Sequence, residues 1–317
     1  MNQIIVNQEC LLDSYLPENL FYRDREKTQL LSNLKNSVST LVYGPFGSGK
    51  SCLVKNVLKS INGKVFACYV DCSVYQTTYS ILKEIVPRAQ LIFCRSNYEL
   101  LKELMKEIKQ RKFVVCFDNF ERLKDKDLIK KFLSLGITLV LITDSEENLS
   151  LLTEDVKFKL SIIKFQAYTT EQSFEILKDR AEKALAKWGY SDSILKKIAD
   201  KINGNIALGI NLLKQAAISA EARGKKVIEE SDIPKVEEDC PFKLNRDEKV
   251  LLKILHEWKS LPASRLYEFY VQSIRHPKGE RSFRNYMGSL CSRGLVKAIG
   301  EKRGRIYEVV EDAKSDG

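Results

Sequence analysis

The stretch that most constrains the fold of this chain runs from Leu41 to Ser51 and reads LVYGPFGSGKS. An apolar run of the β-strand type leads into a glycine-rich loop, which opens an amphipathic helix from Cys52 to Lys59. This is the phosphate-binding pattern G-x-x-x-x-G-K-[ST] in the strand–loop–helix setting that it requires. A chance glycine-rich turn is disfavoured, because every fixed position is filled and both flanks are correct. The stretch predicts nucleotide binding.

The residues of this loop have distinct roles toward a bound phosphate. Glycines let backbone N–H groups turn inward around the phosphates, and the helix N-terminus adds its partial positive charge. Lys50 can reach the β- and γ-phosphates, and the Ser51 hydroxyl can ligate Mg²⁺. The expected ligand is ATP or ADP with Mg²⁺, bound by Gly44, Pro45, Phe46, Gly47, Ser48, Gly49, Lys50, Ser51 and Cys52.

A second buried run, at 113–118, reads FVVCFD and ends in an acid. An aspartate at a strand end is often only a helix cap. Here the acid lies 68 residues after Lys50, and this spacing favours the second half of a phosphate-loop site, in which Asp118 holds Mg²⁺ through its water shell. Lys50 and Asp118 are therefore the candidate catalytic residues, and Ser51 and Asp118 are the candidate metal ligands.

The residues that follow the two inner strands bear on hydrolysis. ATPases of this type place a glutamate after the acid to polarise the attacking water, but this chain has Asn119, which cannot take a proton. Glu121 is expected to point elsewhere if Asn119 starts the following turn. The next strand ends in Thr143-Asp144-Ser145. Because a carboxylate facing a triphosphate is repulsive, Asp144 is expected to turn away or cap a helix, with Thr143 or Ser145 contacting the γ-phosphate or the water.

Composition predicts an intracellular, cytoplasmic protein with an anionic partner. Hydrophobic residues make up 44% and charged residues 30%, as in soluble globular proteins. No apolar run approaches the roughly 20 residues that span a bilayer, and the first ten residues lack the blocks of a signal peptide. Eight scattered cysteines and two histidines predict reduced thiols rather than a zinc site. The formal charge of +10 fits nucleic acid, an acidic protein or membrane lipid.

The pattern of elements predicts three domains. Strands alternating with helices over 1–163 predict an α/β domain with a parallel, doubly wound sheet. From 164 to 236 the pattern is all-helical, with Ser191 and Asn205 as N-caps and Gly204 and Gly224 at helix ends. An acidic, proline-ended linker follows.

The last domain, 242–317, carries 16 Lys/Arg against 10 Asp/Glu, or +6 of the total charge. Its order of three helices and a hairpin predicts a winged helix, whose third helix enters the major groove of double-stranded DNA. Arginine and asparagine read guanine and adenine edges, and basic residues at the wing suit phosphates. A winged helix that binds protein is the alternative. The candidate DNA-binding residues are Arg281, Ser282, Arg284, Asn285, Lys302, Arg303 and Arg305.

Taken in order, these residues resemble a known family. The chain is similar to the archaeal origin-recognition and cell-division-control initiators, AAA+ proteins related to eukaryotic origin recognition complex subunits. The resemblance runs almost end to end and is far more specific than the phosphate loop alone. It is carried by PENLFYRDRE at 17–26, DC at 71–72 with YQT at 75–77, YTTEQ at 168–172, DRAE at 179–182 and GRIYEV at 304–309.

The resemblance implies an AAA+ domain, a helical lid and a winged helix. It places Tyr168 and Arg180 near the adenine and phosphates on the lid side; core packing for Tyr168 and a surface ion pair for Arg180 are the alternatives. It also implies a DNA-contacting loop on the AAA+ domain, but the matching region at 86–98 is short and has only Arg88 and Arg95 as basic residues.

This chain departs from the family pattern at four catalytic positions. Asn119 replaces the family's glutamate, and Asp144 aligns with an asparagine that serves as first sensor. Ala207 replaces the arginine of the second sensor, and the basic residue before the lid falls near Asp155, with Lys157 as a possible substitute. The hypothesis is a site that binds ATP and hydrolyses it slowly or not at all.

Three functions remain open from the sequence. The first is an origin-type initiator that binds double-stranded DNA and, if complete, helps to recruit the replicative helicase with a related subunit. The second is a degenerate paralogue that acts as a transcriptional regulator or as an inactive partner. The third is a signalling NTPase whose basic face meets a protein. None of the three involves a membrane, and the first two place the protein at a prokaryotic nucleoid.

Overall fold

The computed structural model describes residues 3–12, 14–61, 65–86, 96–234, 244, 246–274, 277–292, 295–300 and 304–310. The chain divides into two compact units, Met1–Val236 and Glu237–Gly317. The acidic linker, Arg88, Arg95, Lys302 and Arg303 lie outside the described residues. Within the described part of the chain, no helix is both long enough and apolar enough to cross a membrane.

A parallel sheet of order β2-β3-β4-β1-β5 forms the centre of the first unit. Its inner strands are buried apolar runs, because helices cover both faces. The phosphate loop follows β1, so it lies at the edge where the carboxyl ends of β3 and β4 also emerge. The strands are β1 Thr40–Tyr43, β2 Phe66–Asp71, β3 Phe113–Asp118, β4 Thr138–Thr143 and β5 Ser161–Lys164.

The helices of this α/β domain bury alternate residues of the sheet on its two faces. Val114 and Cys116 of β3 pack with the first two helices, while Val115 and Phe117 pack on the other face. This confirms the predicted doubly wound α/β architecture. The helices are α1 Asp24–Lys35, α2 Lys50–Ile61, α3 Thr78–Ile85, α4 Asn97–Ile108, α5 Asp127–Ser134 and α6 Glu154–Lys157.

Three further helices form the lid: α7 Thr170–Ala184, α8 Asp192–Lys201 and α9 Ile206–Ala222. The Asn205 side chain accepts a hydrogen bond from the backbone N–H of Leu208 at 3.0 Å, which confirms it as an N-cap. Ser191 occupies the predicted N-cap position of α8, but its side chain makes no cap bond in the described residues, and its hydroxyl lies 2.9 Å from that of Ser193 instead.

The N-terminal residues, which the sequence analysis assigns to the α/β domain, pack in the core of the lid helices. Ile4, Ile5 and Leu11 are buried there. The Glu221 carboxylate of α9 accepts hydrogen bonds from the backbone N–H groups of Ile4 at 2.6 Å and Ile5 at 2.9 Å. These long-range contacts carry no local signal, so a pattern-based boundary misses them.

The second unit has the element order helix–strand–helix–helix–strand–strand. It contains the three helices and the hairpin that were predicted, and its described strands pair antiparallel in the order β6-β8-β7. Strand β6 was not predicted, because it is three residues long and ends in Pro262, a residue confined to sheet edges and strand ends. The elements are α10 Arg246–Trp258, β6 Ser260–Pro262, α11 Ala263–Ser273, α12 Glu280–Ser292, β7 Val296–Ile299 and β8 Ile306–Val309.

Candidate nucleotide site and nucleic-acid interface

The phosphate loop packs directly against the start of helix α9. Gly47 has φ +76°, and a Cβ atom built there would lie 2.0 Å from Oδ1 of Asn205. The carbonyl of Gly47 accepts a hydrogen bond from the Ile206 N–H at 3.2 Å. The loop therefore needs glycine at 47 both for its backbone conformation and for this close approach. Ala207, in the second-sensor position, is on this first turn of α9 but has no charge to offer a phosphate.

Lys50 is almost fully buried, with 5% of its surface exposed, and its ammonium group contacts three oxygen atoms. Nζ lies 2.7 Å from the Gly44 carbonyl, 2.8 Å from the Pro45 carbonyl and 2.7 Å from Oδ1 of Asp144. The expectation that Asp144 turns away is therefore wrong. β4 pairs with β1 in register, Tyr43 beside Thr143, so the residue after β4 emerges next to the loop. A buried ammonium attracts this neighbouring carboxylate.

Asp118 lies at the end of β3 in contact with the loop. Its carboxylate hydrogen-bonds the Ser51 hydroxyl, accepts from the Tyr69 hydroxyl, and accepts from the Asn119 N–H at 3.0 Å. Burial raises the pKa of this carboxyl, although the hydrogen bonds partly oppose the shift. The candidate metal ligands Ser51 and Asp118 are thus brought together.

This pair fits the Mg²⁺ that a phosphate-loop site employs. Hydroxyl and carboxylate oxygens are hard ligands, and Mg²⁺ keeps several waters and binds substrate phosphates besides one or two protein groups. Across the described residues, no three His, Cys, Asp or Glu side chains converge to hold a metal by themselves. The ion would therefore bind together with the nucleotide.

Asn119 is turned away from the loop. It adopts a left-handed conformation, φ 54° and ψ 47°, and its Nδ2 donates to Oδ1 of Asp71 at 3.2 Å. Burial alone would raise the pKa of Asp71, but hydrogen bonds from Ser73 and Asn119 hold it below its ordinary value. Position 119, where the resemblance implies a glutamate for the attacking water, therefore holds an amide that is bonded to Asp71 at the end of β2.

Glu121, in contrast, reaches toward the end of β4, so the expectation that it points elsewhere is wrong. Its carboxyl hydrogen-bonds the Thr143 side chain, and its Oε2 atom is buried without a hydrogen-bond partner among the described residues. Burial, assisted by the charge of Asp144, raises the pKa of Glu121. The short helical turn at 120–122 therefore directs Glu121 toward the end of β4, whereas Asn119 is directed toward β2.

The hydroxyl groups expected to contact the γ-phosphate already have partners. Thr143 accepts a hydrogen bond from Nδ2 of Asn148 at 2.7 Å, and Ser145 accepts one from the Glu147 N–H at 3.2 Å. Lys157, the possible substitute for the basic residue before the lid, pairs with Glu154 at 2.7 Å.

On the lid side, Tyr168 is a buried core residue that also borders the loop, since a Cβ atom built on Gly49 would lie 2.9 Å from its hydroxyl. Arg180 is not in a surface ion pair: it is 6% exposed. Its Nη1 donates to the Cys10 carbonyl at 2.9 Å, and its guanidinium lies 4.4 Å from the centre of the Tyr15 ring. Burial raises the pKa of the Cys52 thiol at the end of the loop, and the charge of Arg180 partly opposes this shift.

Arg23 joins the loop to the start of the lid, a role that the sequence analysis misses. Nε donates to the Ser48 carbonyl at 3.2 Å, and Nη2 donates to the Gln166 carbonyl at 2.7 Å. Its guanidinium lies 4.0 Å from the centre of the Tyr168 ring. The available signal was the position of Arg23 inside the motif at 17–26.

In the second unit, α12 has an apolar inner face and a polar outer face. Phe283, Met287 and Leu290 are buried on the inner face. Of the candidate DNA-binding residues, Arg281, Arg284, Asn285 and Arg305 are exposed and Ser282 is half-buried. Arg284 pairs with Glu280 at 2.9 Å, but its side chain is 73% exposed. Such a pair is weak enough for a stronger anion to displace.

Comparisons with known proteins agree with this geometry. Residues 34–153 match the family model described as an AAA domain, and residues 174–238 match the Cdc6 AAA+ ATPase-type lid domain. ORC1-type DNA replication protein 9 of Halobacterium salinarum is 23% identical, over 98% of this chain and 95% of that protein. ORC1-type DNA replication protein 1 of the same organism is 26% identical, over 89% and 100%.

The fold is likewise similar to that of solved structures. The Aeropyrum pernix ORC1 protein in complex with DNA gives a TM-score of 0.75 at 22% identity, covering 98% of this chain and 94% of that one. Together the two family models and the curated relatives support the assignment of this chain to the archaeal ORC1/Cdc6 family of AAA+ proteins.

Proposed function

We propose that this chain is a replication initiator of the origin-recognition type that binds ATP or ADP and double-stranded DNA. The observation that carries this proposal is the combination, in one chain, of an intact phosphate loop and a helix with an exposed basic face. Lys50, Ser51 and Asp118 converge at the first, and Arg281 and Arg284 lie on the second. The relatives that match most of this chain are named as replication proteins.

At the nucleotide site, binding is supported more strongly than hydrolysis. The loop offers backbone N–H groups, Lys50 offers charge, and Ser51 with Asp118 would hold Mg²⁺, which neutralises phosphate charge. Asn119 is bonded to Asp71 and cannot accept a proton from water. Ala207 supplies no cation at the start of α9. We propose weak or absent ATP hydrolysis, with the nucleotide acting as a conformational ligand.

At the DNA interface, the second unit acts as a winged helix. Helix α12 would lie in the major groove, where Arg281, Arg284 and Asn285 can read base edges. Arg305, with Lys302 and Arg303, would contact phosphates from the wing. The proposed location is therefore the nucleoid in the cytoplasm, and the candidate partners are a related initiator subunit and the replicative helicase.

The experiment that tests this function maps the bound sites across the host's DNA by crosslinking and sequencing. A few strong sites at replication start points are expected. Absence of any site would contradict the proposal and would favour a protein as the partner of the basic face of α12.

A second candidate is a degenerate paralogue that regulates transcription or serves as an inactive partner. It is favoured by the coupled changes at Asn119, Asp144 and Ala207. Bound sites at promoters, away from replication starts, would support it. Multiple-turnover hydrolysis on the order of 1 s⁻¹, a rate within the ordinary range of enzymes, would contradict the degenerate site.

A further inference from the structure

The Lys50 ammonium group is saturated by three acceptors in this structure. An ammonium carries three hydrogens, and three oxygens lie within 2.8 Å of Nζ: the carbonyls of Gly44 and Pro45, and Oδ1 of Asp144. The two carbonyls belong to the loop backbone and stay where the fold puts them. Asp144 is the acceptor on a side chain, and it is partly exposed, at 41%. It is therefore the acceptor that an incoming phosphate displaces from Lys50.

The position of Asp144 marks a particular part of the nucleotide. The phosphate loop cradles the α- and β-phosphates, and its lysine reaches the β- and γ-phosphates. Asp144 approaches that lysine from the end of β4, where the γ-phosphate contact of such a site is expected. A diphosphate leaves this side open, whereas a triphosphate places its last negative group beside the carboxylate. The two negative groups repel each other, and the repulsion is stronger where protein replaces water around them.

The neighbours of Asp144 add to the negative potential there. Glu121 reaches the same strand end through Thr143, and the charge of Asp144 already acts on its carboxyl. Asp118 lies on the adjacent strand β3, which pairs with β4. In the described residues the cation in contact with Asp144 is Lys50, and Lys50 is shared with the nucleotide.

We propose that Asp144 makes this site selective for nucleoside diphosphates over nucleoside triphosphates. The carboxylate repels the γ-phosphate and competes with it for Lys50. This selectivity rests on the proposed nucleotide binding. It assigns to Asp144 a role in specificity and leaves the reaction chemistry untouched.

The test measures the Kd of ADP and of ATP, each with Mg²⁺, by titration calorimetry on the full chain. The variants are Asp144→Asn and Asp144→Ser. The matched control is Glu146→Gln, which removes one charge two residues away, where the carboxylate pairs with Lys164 at 3.9 Å. Wild type is expected to bind ADP about tenfold more tightly than ATP, a ratio that corresponds to one modest charge repulsion.

Asp144→Asn is expected to strengthen ATP binding about tenfold while changing the Kd of ADP less than about threefold. Glu146→Gln is expected to leave the ratio unchanged. Equal affinity of wild type for the two nucleotides, or an equal effect of Asp144→Asn on both, overturns the selectivity. Thermal unfolding checks that each variant is folded. If Asp144→Asn is not folded, Asp144→Ser is measured in its place. If wild type binds neither nucleotide, or if Lys50→Ala does not abolish binding, the proposed function itself fails.

Discussion

Asp118 is held in place by the Tyr69 hydroxyl, which reaches it from the neighbouring strand β2. A donor of this kind favours the ionised carboxylate that Mg²⁺ needs, whereas burial favours the protonated form. We expect Tyr69→Phe to weaken the Mg²⁺-dependent part of nucleotide binding by about 1.5–3 kcal/mol, since hydrogen bonds to charged groups contribute about that much. The measurement is the Kd of ADP with Mg²⁺ and with a chelator.

The control for this variant is Tyr75→Phe, which removes a hydroxyl that neighbours Glu84 rather than Asp118. It should leave both dissociation constants unchanged. If Tyr69→Phe gives the wild-type difference between Mg²⁺ and chelator, the Tyr69 hydroxyl has no part in the metal site.

Asp232 gives the lid a pH dependence. Its side chain is buried, accepts from the Glu229 N–H at 3.0 Å and pairs with Lys225 and Arg223 at 3.0 and 3.1 Å. Burial alone raises its pKa, but these partners outweigh burial and hold the pKa below the ordinary 3.8. A depressed carboxyl pKa contributes stability above pH 3.8 that is lost as the pH falls below it.

Asp232→Asn is therefore expected to cost about 2 kcal/mol at pH 7, because Lys225, Arg223 and the Glu229 N–H lose a buried, charged acceptor. The difference from wild type should shrink as the pH falls below 3.8. Chemical denaturation across pH 3–7 measures this, with exposed Asp200 on α8 as the site of the control substitution Asp200→Asn. A difference independent of pH would show that packing, not charge, is responsible.

How far single residues could be predicted depends on whether their partners are local. The loop residues Gly44 to Ser51 could be predicted from the motif, because the residues that bind phosphate are consecutive in the sequence. The ion pair of Lys50 with Asp144 joins residues 94 positions apart through the pairing of β1 with β4. Repulsion between Asp144 and an expected triphosphate led to the prediction that Asp144 turns away. In the structure, attraction to the buried Lys50 ammonium favours the ion pair instead.

At the scale of elements, helix α9 is bounded by two glycines that have the same backbone conformation and different surroundings. Gly204 precedes the helix with φ +77°, and a Cβ atom there would lie 2.3 Å from the Tyr168 carbonyl. Gly224 follows the helix with φ +69° and has no atom within 4 Å of its Cβ position among the described residues. A substitution at Gly224 therefore tests backbone strain alone, whereas one at Gly204 tests backbone strain together with close packing.

Gly224→Ala is expected to cost about 1 kcal/mol, the strain of a left-handed residue with a side chain. Gly204→Ala should cost about 3 kcal/mol or more, because the backbone of Tyr168 must also move away from the new Cβ atom. The free energies of unfolding from denaturant titration give both values. Equal costs would show that the Gly204 contact relaxes freely.

Element existence was predictable and element ends were less so. The all-helical pattern at 164–236 and the caps at Asn205 and Gly224 predicted the lid helices, because these signals are local. Strand β6 and the N-terminal residues around Ile4 depend on distant partners, β8 and α9. Elements stabilised mainly by tertiary contacts are those that a local pattern misses.

At the scale of the whole molecule, the proposed function requires one chain to bind two anionic ligands, a nucleotide and DNA. The charge of +10 is compatible with this, and the excess of 16 basic over 10 acidic residues in 242–317 directs attention to the second unit. Net charge predicts an anionic partner but not a contact surface. The surface follows from α12, whose inner residues fix which side of the helix is exposed.

The contribution of that exposed side can be separated from net charge by two matched arginines. Arg284 on α12 pairs with Glu280 at 2.9 Å and is 73% exposed; Arg265 on α11 pairs with Glu268 at 3.1 Å and is 66% exposed. Each substitution by alanine removes one charge from one comparable surface ion pair. Any difference in DNA affinity between them therefore reports position and not charge.

Arg284→Ala is expected to weaken binding to a duplex taken from a mapped site by roughly 1–3 kcal/mol, and to weaken binding to a scrambled duplex less. Arg265→Ala should change either affinity by less than about 0.5 kcal/mol, as for an ordinary surface residue. Fluorescence anisotropy at several salt concentrations measures both, because affinity without its salt dependence does not distinguish base contacts from phosphate contacts. Equal losses for the two variants would mean that the chain binds DNA through its overall charge, and that α12 does not read the groove.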